Sequence, residues 1–201
     1  MTTPFNPLDM ENLAQSIVTR MEQTDPTPLG DVKTFTGAGV YAIYYKGPFK
    51  AYGMLSARNQ ESCTIPIYVG KGVPEGGRRG LEVVGHAFTK KLSERIRKHA
   101  RSIEQVENLD IEDFAVRWLV VEDIWIALGE SAMIRRYKPL WNAMLDGFGN
   151  NAPGVNRDNS VRSAWDTLHP GRSHARELKP REDGPEALEQ EVRQYLKSRL
   201  S

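Results

Sequence analysis

Two short tyrosine-containing runs constrain the fold of this 201-residue chain more than any other feature of its sequence. The first, Gly39-Val40-Tyr41, lies within residues 38 to 45, and the second, Tyr68-Val69-Gly70, lies within residues 65 to 72. Both segments are rich in β-branched and aromatic residues and are bounded by glycines, which is the composition of short strands. The sequence therefore predicts a hairpin whose strands are joined by a long polar connection, residues 46 to 64.

Alternation assigns the side chains of the first strand to two faces of the sheet. Three alternate residues share one face, Tyr41, Ile43 and Tyr45. The three residues between and before them share the other face, Val40, Ala42 and Tyr44. A tyrosine in such a strand is most often a core residue. A functional role for Tyr41 or Tyr68 therefore needs support from other parts of the chain.

Hydrophobic periodicity elsewhere predicts a small sheet flanked by helices. Helices are predicted over residues 6 to 23, starting at Asn6-Pro7, over residues 89 to 106, over residues 124 to 137 and from Pro185 onward, and a third strand over residues 113 to 121. We expect an α/β (α+β) fold with a mixed or antiparallel three-stranded sheet.

The chain is long enough for one domain with decorated ends. We expect a helical arm over residues 1 to 34, the main domain with inserts over residues 35 to 173, and a linker with a C-terminal helix over residues 174 to 201. The apolar faces of the terminal helices are suited to packing or to dimerisation.

Composition excludes several classes of protein. A single cysteine, Cys63, excludes a disulfide framework or a zinc cluster within one chain. We expect no membrane association and a cytoplasmic location, because no apolar run has transmembrane length and no signal pattern begins the chain. The net charge of +1 argues against a protein that binds nucleic acid over its whole surface, but it permits a local basic patch.

Positive charge is concentrated between Lys71 and Arg101, where nine basic residues stand against three acidic ones. The glycine-rich part of this region brings Lys71, Arg78 and Arg79 together, and such a loop suits phosphates or guanine edges. A solvated helix face or an ordinary surface loop would have the same composition. The region therefore indicates DNA binding only in combination with other features.

Three side chains in the predicted helices carry possible chemistry. Arg95 and His99 are four residues apart and lie on the same side of their helix. Glu130 has apolar neighbours three and four residues away on both sides, where a carboxylate is costly unless it is paired. A structural ion pair, perhaps with an arginine, and a divalent metal ion explain Glu130 equally well.

Taken in order, these residues resemble the GIY-YIG nucleases. Gly39-Val40-Tyr41 and Tyr68-Val69-Gly70 correspond to the two name motifs, with valine in place of isoleucine. Arg95, Glu130 and Asn142 fall at the positions of the family's arginine, metal-binding glutamate and asparagine. His99, one turn after the arginine, matches the subset that includes stand-alone restriction enzymes.

Further segments resemble the type II restriction endonucleases of this superfamily that cut CCGCGG. The similarity extends over about residues 35 to 173 and is carried by residues 37 to 42, 66 to 71, 137 to 142, 146 to 150 and His169-Pro170-Gly171-Arg172. It implies cleavage of double-stranded DNA by a homodimer on a palindromic site, and a host methyltransferase of the same specificity.

The resemblance also implies roles for the site residues. One Mg²⁺ per active site, for which Mn²⁺ can substitute, would be held by Glu130, and Arg95 would stabilise the transition-state charge. Tyr41 would take the proton from water, and Tyr68 and His99 would position or tune Tyr41. Asn142 would orient the site or the phosphate. His99, whose pKa is ordinarily nearer to neutrality, is the alternative base.

Two other functions remain open from the sequence. One is a repair or structure-selective nuclease with the same fold, and the other is a non-catalytic DNA-binding module. The complete set of candidate catalytic residues argues against the module, and the long inserts argue against the repair nuclease. Guanines in an all-G·C site are best read by arginine, and the candidate arginines in the inserts are Arg58, Arg78, Arg79, Arg157 and Arg162.

Overall fold

The sheet of the computed structural model has four antiparallel strands. The structure describes residues 8–74, 89–149 and 161–201. The strands are β1 (Thr27–Pro28), β2 (Gly39–Tyr45), β3 (Tyr68–Gly72) and β4 (Phe114–Val120), in the spatial order β1-β4-β2-β3. The predicted α/β (α+β) fold with a small antiparallel sheet is confirmed. The two-residue strand β1 adds a fourth strand to the three that were predicted.

Helices cover both faces of this sheet. They are α1 (Met10–Glu22), α2 (Gly53–Asn59), α3 (Lys91–Glu104), α4 (Asp123–Tyr137), α5 (Leu140–Ala143), α6 (Ala164–Leu168), α7 (Ser173–Arg176) and α8 (Pro185–Leu200). The four predicted helices correspond to α1, α3, α4 and α8. Helix α1 begins at Met10, after the predicted start at Asn6-Pro7, which lies outside the described residues.

Strand β2 lies at the centre of two hydrophobic layers. Its residues Tyr41, Ile43 and Tyr45 belong to a core that also includes side chains of α3 and α8. Its residues Val40, Ala42 and Tyr44 belong to a second core, formed with α1 and α4. The predicted assignment of these six side chains to opposite faces is confirmed, and it puts Tyr41 on the same side of the sheet as α3.

The C-terminal helix packs on the core of its own chain. Leu188, Val192 and Leu196 of α8 are buried in the hydrophobic cluster that contains Tyr41. The proposed division into arm, main domain and tail stays a prediction. Within the described parts of the chain, no helix is both long and apolar enough to cross a membrane.

Candidate active site

The register between β2 and β3 explains why the two sequence motifs occur together. Tyr41 lies opposite Gly70, and Ile43 lies opposite Tyr68. A Cβ atom at Gly70 would overlap the hydroxyl of Tyr41, which extends across β3 at this point. The glycine of the second motif therefore makes room for the tyrosine of the first motif.

Tyr41, Tyr68 and His99 form one aromatic cluster between the sheet and α3. The Tyr41 hydroxyl oxygen is 2.7 Å from Nε2 of His99. The ring centroids are 6.2 Å apart for the two tyrosines and 5.0 Å apart for Tyr68 and His99. Tyr41 and His99 are buried, while Tyr68 is partly exposed. The structure thus brings together three of the predicted site residues.

Arg95 supplies the positive charge beside this cluster. It lies one turn before His99 on α3, and its Nη2 donates a hydrogen bond to the carbonyl oxygen of Gly149 at 3.2 Å. Hydrogen bonding and charge from Arg95 act to lower the pKa of both Tyr41 and Tyr68. Arg95 is therefore the cation best placed to favour a phenolate in this site.

Burial opposes the charged forms of Tyr41, Tyr68 and His99. It raises the pKa of Tyr41 well above its ordinary value, and the neighbouring Tyr68 adds to the rise while Arg95 opposes it. Burial also raises the pKa of Tyr68. For His99, burial and then the charge of Arg95 hold the pKa well below its usual range. The imidazole of His99 is therefore neutral at pH 7.

Glu130 lies at the edge of the buried face of α4. Its side chain is 20% exposed, so it flanks the apolar stripe rather than interrupting it as the sequence pattern had indicated. Its Oε2 is 2.7 Å from Nζ of Lys71, whose side chain is 40% exposed. The ion-pair partner is thus a lysine of β3, not an arginine. A partly exposed pair of this kind contributes about 0–1 kcal/mol to stability.

A magnesium ion fits this carboxylate. Within residues 8–74, 89–149 and 161–201, no group of three or more histidine, cysteine, aspartate or glutamate side chains is arranged to hold a metal ion. Mg²⁺ in phosphoryl-transfer sites usually takes one or two carboxylates and completes its coordination with water and phosphate oxygens. The partly exposed Glu130 offers one hard oxygen ligand of this kind.

Asn142 contacts the edge strand β3. Its Oδ1 accepts a hydrogen bond from the N–H of Val69, and its Nδ2 donates one to the carbonyl oxygen of the same residue, both at 2.8 Å. A side-chain amide that satisfies both backbone groups of Val69 replaces one residue of a neighbouring strand. Asn142 therefore holds the strand that carries Tyr68 and Lys71.

Replacing Asn142 by leucine is expected to lower the free energy of unfolding by about 1–3 kcal/mol, because the backbone groups of the buried Val69 lose their partners. Urea unfolding measures this change. The matched control is Gln190→Leu, which replaces an exposed amide on α8. Equal midpoints for the two variants would show that the contacts between Asn142 and Val69 contribute nothing to stability.

The predicted DNA-binding residues occupy different environments. Lys71 pairs with Glu130. Arg58 on α2 donates from Nη2 to the carbonyl oxygen of Leu200 at 2.7 Å, and Arg162 donates from Nε to that of Ala175 at 3.0 Å. The other three candidates lie outside the described residues: Arg78, Arg79 and Arg157. Which of these side chains contacts DNA stays a prediction.

Two residues next to the site received no role from the sequence. The ring of Phe148 stacks on His99 with centroids 4.5 Å apart and an angle of 21° between the planes. Arg172 is buried and donates hydrogen bonds to the carbonyl oxygens of Gly147 and Phe148. Both belong to segments that carried the sequence resemblance, but their contacts join parts of the chain too distant for a local pattern to reveal.

The chain matches a known protein family over most of its length. The model of the protein family described as the Eco29kI GIY-YIG domain matches residues 33–196, which is most of the chain. The matched region includes the whole cluster formed by Tyr41, Tyr68, Arg95 and His99, together with Glu130 and Asn142. No curated protein matches the chain.

Proposed function

Because the chain belongs to the Eco29kI GIY-YIG family of restriction endonucleases, we propose that it is a Mg²⁺-dependent type II enzyme that cuts double-stranded DNA at the palindrome CCGCGG. The observation that carries this proposal is the cluster in which the Tyr41 hydroxyl contacts His99 beside Arg95. The negative charge of Glu130, a partly exposed carboxylate, raises the pKa of both Tyr41 and Tyr68, which places it near the same cluster.

The chemistry of phosphodiester hydrolysis assigns a role to each group. The reaction needs a base for the attacking water and positive charge for the phosphoryl oxygens and the leaving oxygen. Arg95 provides a fixed positive charge next to the base. Glu130 would hold a Mg²⁺ ion, which would supply Lewis-acid stabilisation of the phosphoryl oxygens. Asn142 keeps β3 in place, and with it Tyr68 and Lys71.

We assign the base to Tyr41 and a supporting role to His99. The imidazole is buried, holds little affinity for a proton, and has Nε2 directed at the Tyr41 hydroxyl oxygen. With its proton on Nε2, neutral His99 donates a hydrogen bond to the Tyr41 phenolate and so favours the ionised form. The Arg95 guanidinium acts in the same direction, and together they offset part of the cost of burial.

The two tyrosines share one ionisation. A negative charge on Tyr68 raises the pKa of Tyr41, so both phenols are not ionised together. When Tyr41 carries the charge, the hydroxyl of Tyr68 remains protonated and can donate a hydrogen bond to it. This arrangement supports one phenolate per active site, and we place it on Tyr41, whose hydroxyl oxygen lies 2.7 Å from Nε2 of His99.

A palindromic target further implies a two-fold homodimer in which each subunit cuts one strand. The arginines of the inserts are the candidates for reading guanine O6 and N7. The proposal also implies a host methyltransferase that protects the same sequence, and a location in the bacterial cytoplasm. These partners and the location follow from the proposed function and stay predictions.

A plasmid digest tests the function directly. In the presence of Mg²⁺, the protein is expected to linearise a plasmid with a single CCGCGG site and to leave intact the same plasmid with one base pair of that site exchanged. A mismatched base pair typically costs about 1–3 kcal/mol of binding, so the difference between the two digests is readily measured.

Each other outcome of the digest replaces a defined part of the proposal. Cleavage at different fixed positions would keep the restriction enzyme and reject the target sequence. Nicking of both plasmids alike would favour a repair or structure-selective nuclease. Binding without any cleavage would favour the non-catalytic DNA-binding module.

A further inference from the structure

We propose that Arg172 is a positioning residue of the active site, because it holds residues 147–149 against His99 and Arg95. This inference rests on the proposed function, since that function makes His99 and Arg95 parts of the catalytic site. Arg172 touches neither of the two tyrosines in the structure, and its effect is transmitted through the backbone of a short segment. It acts on the orientation of catalytic groups and not on the DNA itself.

The guanidinium of Arg172 makes three hydrogen bonds in the protein interior. Nε donates to Oδ1 of Asp166 at 2.6 Å, Nη1 donates to the carbonyl oxygen of Phe148 at 3.1 Å, and Nη2 donates to that of Gly147 at 2.9 Å. Its Cζ lies 4.5 Å from the centre of the Trp165 ring. Only 1% of Arg172 is exposed, so water does not compete for these contacts.

The segment that Arg172 holds contacts three candidate catalytic residues. The Phe148 ring stacks on His99 and meets the ring of Tyr68 at 78°, with centroids 5.0 Å apart. The carbonyl oxygen of Gly149, the next residue, accepts the hydrogen bond from Nη2 of Arg95. Two successive residues therefore position the imidazole and the guanidinium that surround the Tyr41 hydroxyl.

An arginine is suited to this task in a way that a lysine is not. The planar fork of a guanidinium directs several N–H groups at fixed angles, whereas an ammonium group is a compact charge on a flexible stem. The buried pair with Asp166 compensates the charge of Arg172 but adds little net stability, because desolvation opposes the attraction. The benefit of this costly arrangement is the defined placement of the Gly147 and Phe148 carbonyl groups.

The variant Arg172→Lys tests the proposal, with Val192→Ala as its control. Val192 is a buried core residue of α8, so the control loses stability without altering residues 147–149. Both proteins are studied at a temperature at which thermal unfolding curves show them fully folded. A second variant, Phe148→Leu, keeps an apolar side chain at the segment but removes the ring that stacks on His99.

Single-turnover cleavage at saturating enzyme separates positioning from folding. We expect Arg172→Lys to reduce the rate by about 10- to 100-fold, because small misplacements of catalytic groups have effects of this size. Its affinity for a CCGCGG oligonucleotide, measured without divalent metal, should be that of the control. In the Phe148→Leu background the same substitution should have a smaller effect, since both act through one segment. A rate equal to that of Val192→Ala would overturn the proposal.

A spectroscopic measurement keeps the test independent of nuclease activity. In ¹⁵N-histidine-labelled protein, the signals of the His99 ring are identified by their loss in His99→Gln. They should shift or broaden in Arg172→Lys and stay in place in Val192→Ala, because the stacked Phe148 ring influences them directly. Unchanged His99 signals would overturn the proposal. Shifted signals in a protein that does not cut DNA would uphold the link and reject the proposed function.

Discussion

Replacing Glu130 by glutamine is expected to lower the single-turnover rate of DNA cleavage by about 1,000-fold or more. A metal ion that polarises a phosphoryl oxygen contributes several kcal/mol to transition-state stabilisation, and each 1.36 kcal/mol is a factor of ten in rate. Glutamine keeps the size of the side chain and one oxygen atom, but it removes the negative charge that attracts Mg²⁺. The rate is measured as a function of Mg²⁺ concentration for both proteins, and only the wild type should saturate.

The ion pair between Glu130 and Lys71 offers the competing explanation for this acid, and two further variants separate the explanations. If Glu130 served only to hold Lys71, then Lys71→Met would cause the same loss as Glu130→Gln. If Glu130 holds the metal ion, Lys71→Met should weaken DNA binding in a salt-dependent manner and retain saturation by Mg²⁺.

The control for Glu130→Gln is Glu94→Gln, which removes the carboxylate of another lysine–glutamate pair, the more exposed one on α3 with Lys91 at 3.6 Å. It should leave the rate unchanged. Full activity of Glu130→Gln at low Mg²⁺ concentration would contradict the assignment of this residue as the metal ligand.

Local sequence patterns were sufficient to predict the central strands and the longer helices. The alternation in Gly39–Tyr45 and the helical spacing in Lys91–Glu104 extend over enough residues to define a buried face. Strand β1 has two residues and helix α2 has seven, so both are too short for a repeated hydrophobic pattern to define a buried face. Strand β3 begins at Tyr68 and not at residue 65. The N–H of Ile67 still donates to the carbonyl oxygen of Ile43 in β2, but the carbonyl oxygen of Ile67 accepts from the Trp141 N–H of α5.

The site was predicted as a set of residues but not as a set of contacts. Spacing along α3 placed Arg95 and His99 on one side of the helix, and the motifs placed Tyr41 and Tyr68 on adjoining strands. One face of the buried His99 ring stacks on Phe148, which approaches from a distant segment. The same limit applies to the pairing of Asn142 with the β3 backbone, which depends on how α5 docks against the strand edge. Such contacts are set by tertiary packing and leave no periodic signal in the sequence.

Replacing Tyr41 by phenylalanine is expected to lower the cleavage rate by about 100- to 10,000-fold, the usual contribution of a positioned general base. Phenylalanine preserves the ring in the core and removes only the hydroxyl that contacts His99. The matched control is Tyr44→Phe, because Tyr44 is equally buried in β2 but lies on the opposite face, where Arg117 covers its ring. Burial raises the pKa of Tyr44 as it does that of Tyr41, so the control differs in location and not in the kind of group removed.

The dependence of the rate on pH identifies the base. Only the phenolate accepts a proton from water, and burial holds the pKa of Tyr41 above its usual value despite the opposing charge of Arg95. The phenolate fraction therefore rises about tenfold with each pH unit below that pKa, and the wild-type rate should rise without a plateau between about pH 7 and 9. His99 as the base would instead give a flat profile in this range, because its pKa is depressed.

Tyr68→Phe distinguishes the two tyrosines. It should retain the rising profile at a reduced rate, since Tyr68 only supports the phenolate, whereas Tyr41→Phe should lose the rise altogether. If Tyr41→Phe kept the rise and Tyr68→Phe lost it, the proton acceptor would be the partly exposed tyrosine of the second motif. The hydrogen bond between Tyr41 and His99 would then serve to hold the first tyrosine protonated beside it.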